Sequence, residues 1–195
     1  MARKTMKVKR TKIEAEASSS RKYLIYGSVG IGVILLGVLL VISMRGPGTL
    51  RGLINYGSQT RGHDNTTVIN SPGRPPAGGV HHDVWQNCGI YDEPVMAENV
   101  IHSMEHGAVW LTYNPELNGD DVAYLQDLVR GQTFIILSPY PTQESDVVAT
   151  AWSVQIEADS VTDSRIEEFI ERYRLGPTTP ERGASCSGGV GVPIG

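Results

Sequence analysis

The chain has 195 residues, 40% of them hydrophobic and 19% charged, with 17 basic residues against 21 acidic ones. That length accommodates one domain with extensions. The acidic excess lies in the part that reads as globular, which excludes nucleic acid as a partner because a nucleic-acid-binding face must be basic.

Residues 1–22 carry Arg3, Lys4, Lys7, Lys9, Arg10, Lys12, Arg21 and Lys22 against Glu14 and Glu16, a net charge of +6. The whole chain carries −4, so −10 falls after residue 22, and no lysine occurs beyond Lys22. Residues 23–44, "YLIYGSVGIGVILLGVLLVISM", hold no charge. As a helix they would be roughly 33 Å long, which matches a bilayer core. A secretory signal needs a hydrophobic region of only about 7–15 residues and a small-residue cleavage site. "ISMRGPG" is a poor one. The expectation is a retained single-pass anchor in the cell membrane. Positive residues stay on the cytoplasmic side, so the N-terminus is expected in the cytoplasm and the C-terminal domain on the extracytoplasmic, periplasmic side. The basic tail also suits anionic lipid head groups, which makes the lipid bilayer a partner. Ser28-x-x-x-Gly32 offers a small-residue surface on which other membrane-protein subunits can pack.

Residues 45–80 are rich in Gly, Pro, Asn, Ser and Thr without helical or strand period, and read as a linker. The domain follows at 81–176. "AENVIHSMEH" (97–106) is expected as a short helix capped by Gly107. "AVWLTY" (108–113) reads as a strand. Residues 119–130 space Val122, Leu125, Leu128 and Val129 as an amphipathic helix. "QTFIILSPY" (132–140) is an apolar strand, and "DVVATAWSVQIEAD" (146–159) alternates as one long strand expected to pair with it as a hairpin. "DSRIEEFIERYRLG" sets Ile166, Phe169, Ile170 and Tyr173 on one helical face. This order predicts an α+β fold, a small two-layer domain with a mixed or antiparallel sheet and helices on one face. Residues 177–195 form an irregular tail, expected to be tied down by Cys186.

Cys88 and Cys186 are the two cysteines, both in the portion placed outside the cell. An oxidising compartment favours a disulfide between them. It would close a loop of about 100 residues and contribute about 4–5 kcal/mol on the chain-entropy model. The competing reading is a pair of thiolate ligands for a soft metal.

The stretch "HSMEH" places His102, Glu105 and His106 within five residues. On a helix His102 and His106 face one side, and two neutral imidazoles at that spacing can grip Cu²⁺ or Zn²⁺. His81 and His82 are the nearest further ligands, with Glu105 and Met104 behind them. The same letters fit H-x-x-E-H, in which both histidines hold zinc and the glutamate activates water. Against that, the helix is short and no partner helix offers a third carboxylate. The structural alternative has the histidines interacting with carbonyls at the helix C-terminus.

Several strings occur together: "PPAGGVHH" (75–82), "QNCGIYDEPV" (86–95), "HSMEHGAVWLTY" (102–113), "SPYP" (138–141), "AW" (151–152) and the late Cys186. In these the chain resembles the bacterial membrane-anchored family known as domain of unknown function 3105. The resemblance implies a bacterial source and an anchored extracytoplasmic domain, and it implies no particular chemistry. Three functions stand from the residues. The first is a non-enzymatic extracytoplasmic domain binding a transition metal, copper or zinc, or a partner through the region of His81, His82, His102 and His106. The second is an accessory subunit of a larger respiratory or photosynthetic membrane complex. The third is a metal-dependent hydrolase.

Overall fold

The computed structural model describes residues 32, 34–37 and 49–195. The chain divides into two units, 1–48 and 49–195. In the first, residues 32 and 34–37 are helical. The basic tail, most of the expected anchor and Ser28 of the proposed packing surface lie outside the described residues; Gly32 lies inside the helical stretch. Among the described residues no helix is long and apolar enough to cross a membrane.

The second unit is built on a six-stranded mixed sheet. Its strands are β1 (Ile54–Asn55), β2 (Gly89–Ile90), β3 (Val109–Tyr113), β4 (Ile135–Pro139), β5 (Val147–Ala151) and β6 (Val154–Ala158), in the spatial order β1-β6-β5-β3-β4-β2. β2, β4 and β3 run parallel, while β3, β5, β6 and β1 pair antiparallel. Three helices accompany them: α1 (Ala97–His106), α2 (Gly119–Val129) and α3 (Ser164–Tyr173). The α+β class and the mixed sheet follow the expectation.

The expected helices on a single face do not. Side chains alternate across a strand. Val109, Leu111, Ile135 and Leu137 join Leu125 and Val129 of α2 and Ile166, Phe169 and Ile170 of α3 in one core. Their neighbours Trp110 and Ile136 point the other way, into a second core with Val100, Ile101 and Met104 of α1. The central strands are buried on both faces, so they needed helices on both, and the near-continuous apolar text of β4 was the sign of it.

A second correction concerns residues 146–159. They form two strands, β5 and β6, folded back at Trp152-Ser153, with Ser153 at φ 70°. The turn is held from outside: Ser153 N–H donates to the Ala77 carbonyl at 2.7 Å, and the Ser153 carbonyl accepts from Tyr56 N–H at 2.9 Å. β4 and β5 are not a hairpin either, because β3 lies between them. The parallel β3–β4 pair is joined by α2, as a parallel pair must be by a crossover.

Residues 49–80 lie along this unit. β1 pairs with β6, Leu50 is buried in the first core, and the Pro75 carbonyl accepts from Gln155 Nε2 at 2.9 Å. Cys88 and Cys186 are joined in a disulfide, with Cys88 N–H donating to the Cys186 carbonyl. That link lays the C-terminal residues beside α1 and β2.

Candidate functional site

α1 carries the histidine-rich stretch, and Glu98 through His106 are all buried. One side of the helix meets the sheet through Val100, Ile101 and Met104. The opposite side is covered by chain from both ends of the unit. Gly107 closes the helix in the left-handed region, at φ 115°, with its N–H on the Met104 carbonyl at 3.0 Å. Only such a tight stop lets His106 stay in the last turn while the chain turns directly into β3.

His81 and His63 sit side by side on an isolated parallel bridge. His81 N–H donates to the Gly62 carbonyl at 3.1 Å, and Asp64 N–H donates to the His81 carbonyl at 2.8 Å. The bridge aims both rings at α1, where His102 meets them. The centroids are 4.9 Å apart for His63–His81, 4.6 Å for His63–His102 and 5.1 Å for His81–His102. One ring nitrogen from each of the three lies within 4.8 Å of the other two, close enough to share one metal ion.

The tautomers follow from the hydrogen bonds. His81 Nδ1 lies 2.7 Å from the Gly79 carbonyl and His102 Nδ1 lies 2.8 Å from the His82 carbonyl. A carbonyl only accepts, so each Nδ1 carries a proton and Nε2 is the nitrogen left to face the site. Ligating histidines are held in this way, with the other ring N–H donated to a carbonyl or carboxylate.

Glu105, one turn beyond His102, adds a carboxylate. Its Oε1 accepts from Arg61 Nε at 2.7 Å, and Arg61 Nη2 also reaches Glu181 Oε1 at 2.9 Å. Its Oε2 lies 3.1 Å from His81 Nε2 and 3.7 Å from His63 Nε2. The 3.1 Å contact is within ion-pair reach but lacks hydrogen-bond geometry, and the fully buried His81 Nε2 has no hydrogen-bond partner. Burial pushes the Glu105 carboxyl up, but the Arg61 hydrogen bond and the charges of His81, Arg61 and His63 outweigh it, so its pKa falls below the ordinary value. Burial depresses His102, against the His82 carbonyl that favours its charged form. The helix therefore offers an ionised carboxylate and an uncharged imidazole at neutral pH.

The other candidates lie around this centre. His82, next to His81 on an extended segment, has its Nε2 on the Thr67 carbonyl at 3.1 Å and is not one of the three converging rings. His106 stands beyond His102, with centroids 4.5 Å apart, its Nδ1 donating to the Ser185 carbonyl at 2.6 Å and its ring near Trp85. Met104 is fully buried in the second core, on the side away from the histidines. Cys88 and Cys186 are bonded to each other, so neither offers a thiolate.

Sequence reasoning missed His63 and Arg61, both in the stretch read as linker. The available signal was that all five histidines of the chain fall between residues 63 and 106. A cleft of about 560 Å³ opens beside the centre, bordered by Arg61, Gln59, Trp152, Ser153 and Thr178. Trp152, in the wall of that cleft, packs edge-on against His81.

No curated protein and no solved structure matches the chain. The family model described as "Protein of unknown function (DUF3105)" matches residues 63–188, a span that begins at His63, takes in the three converging histidines and Glu105, and closes just after Cys186. The match covers more than half of the sequence, and the chain belongs to that family.

Proposed function

We infer that this chain is a membrane-anchored protein whose extracytoplasmic domain binds a copper or zinc ion through His63, His81 and His102. The observation that carries the reading is the buried Nε2 of His81, which faces Glu105 Oε2 at 3.1 Å with no hydrogen bond between them. A buried polar atom without a hydrogen-bond partner is costly. A cation bound among the rings removes that penalty by giving the His81 Nε2 a partner. Borderline-soft ions such as Zn²⁺ and Cu²⁺ are the ones that imidazoles suit.

The membrane part rests on residues 23–44, which carry no charge and follow a tail of net charge +6. Ile34, Leu35 and Leu36 are 67%, 58% and 65% exposed in their helical stretch, a costly arrangement in water and a natural one in lipid. The disulfide supports an oxidising compartment for the domain.

Purified full chain in mild detergent tests the metal reading by elemental analysis and by copper and zinc titration. One ion per chain is the expected result, lost in the His81→Ala/His102→Ala double variant. A folded chain that takes up neither ion overturns it. Protease shaving of intact cells tests the orientation: the domain should be cut from outside, and full protection would refute that placement.

A further inference from the structure

We propose that Glu105 is the fourth ligand of this ion, completing a closed His63–His81–His102–Glu105 set suited to Zn²⁺. The proposal rests on the metal reading above and goes beyond it by fixing the donor set and the ion.

The distances carry the argument. With Zn–N and Zn–O bonds of about 2.0–2.1 Å, tetrahedral geometry separates neighbouring ligand atoms by about 3.3 Å. Glu105 Oε2 stands 3.1 Å from His81 Nε2 and 3.7 Å from His63 Nε2, on either side of that value. The donor atoms of the three histidines already lie within 4.8 Å of one another, and Glu105 joins them by a small movement of its carboxylate as the ion binds. Arg61 already grips Oε1 at 2.7 Å, which leaves Oε2 turned toward the imidazoles. Arg61 is in turn held by Glu181, so the carboxylate has an outer support of the kind that positions ligands in metal sites. Among the described residues no soft donor joins the site: Met104 is turned into the core and both cysteines are in the disulfide. Three imidazoles and a carboxylate therefore match a divalent ion better than Cu(I).

Four protein ligands leave no open position for water, and an open position is what distinguishes a catalytic zinc site from a structural or carrier one. The same geometry therefore assigns the ion to holding and exchange rather than hydrolysis. His63 is the ligand through which exchange would proceed, since its side chain is 45% exposed while those of His81 and Glu105 are 0% and 3% exposed.

The test uses the full chain in detergent with Co²⁺ in place of Zn²⁺, followed by visible absorption during addition of azide. The expected result is a four-coordinate cobalt spectrum that azide does not change. Glu105→Gln should weaken Zn²⁺ binding at least tenfold and make the cobalt spectrum azide-sensitive. Arg61→Ala should weaken Zn²⁺ binding about 10–100-fold, the cost of losing an outer support. Azide binding to the unmodified cobalt protein would overturn the closed set even if Glu105→Gln failed to fold, and would leave the three-histidine site standing. Wild-type affinity and spectrum in Glu105→Gln would do the same. If the unmodified chain binds no ion, the parent reading falls and this one with it.

Discussion

His63 and His102 stack face to face, with ring centroids 4.6 Å apart and planes only 11° from parallel. One comes from an irregular segment and the other from the middle of α1. Their contact is made by the bridge that seats His63 next to His81, so the site depends on a segment with almost no regular structure.

The ligand assignment predicts a graded response to alanine substitution. His81→Ala and His102→Ala should each weaken Zn²⁺ or Cu²⁺ binding by more than the 10–100-fold that loss of an outer partner produces. His63→Ala should also weaken it and speed release, being the ring nearest solvent. His82→Ala should leave affinity unchanged, because that ring is engaged with the Thr67 carbonyl. Isothermal titration with stopped-flow chelator competition reads both quantities.

Acid should destabilise the domain in two stages. His102 has its native pKa depressed below the ordinary 6.5, so below that pH the unfolded chain binds the extra proton first. Stability present above about pH 6.5 is thus lost as the pH falls toward the native value. Glu105, depressed below 4.5, adds a second loss as the pH falls below that value. Melting temperatures of the apo protein at pH 7.5, 5.5 and 4 should fall in that order. His102→Gln should flatten the first step.

The disulfide should matter to the site as well as to stability. It closes a loop between positions 98 apart in sequence. Cys88→Ser/Cys186→Ser should lower unfolding free energy by about 4–5 kcal/mol on the chain-entropy model. The Ser185 carbonyl that orients His106 adjoins Cys186, so the residues after 180 should become the first target of limited proteolysis. Urea denaturation and mass-mapped digestion measure the two effects.

Two single positions test local structure. Asp163 caps α3, accepting from Arg165 N–H at 2.9 Å and from its guanidinium, so Asp163→Ala should cost about 1 kcal/mol. Gly107→Ala should cost more, about 1–3 kcal/mol, since its φ of 115° disfavours any side chain. An added Cβ there would also stand 2.7 Å from Leu175 Cδ2. Denaturant titration of both variants, with metal binding as a second readout for Gly107→Ala, checks the order.

The helices were legible because each pairs an apolar face with an end signal: Asn118 and Asp163 start α2 and α3, and Gly107 stops α1. Strand partners were less so. The choice of β3 rather than β4 as the neighbour of β5 is made by long-range packing, which leaves no local mark in the text. The turn at Trp152-Ser153 was hidden because neither residue is a usual turn former, and its conformation is held by residues 56 and 77. The same reason explains His63. Composition around it gives no periodicity, and its place is fixed by the backbone bonds that its neighbours Gly62 and Asp64 make with His81.

β2 is only two residues long and forms one margin of the sheet. Its outer side is occupied: Ile194 N–H donates to the Ile90 carbonyl at 2.8 Å, and Ile90 N–H donates to the Gly195 carbonyl at 3.3 Å. A second molecule approaching that margin finds its pairing groups already taken, so the sheet cannot grow by recruiting copies there. Loosening the hold of Ile194 and Gly195 on Ile90 would bare those groups and make preparations prone to clumping.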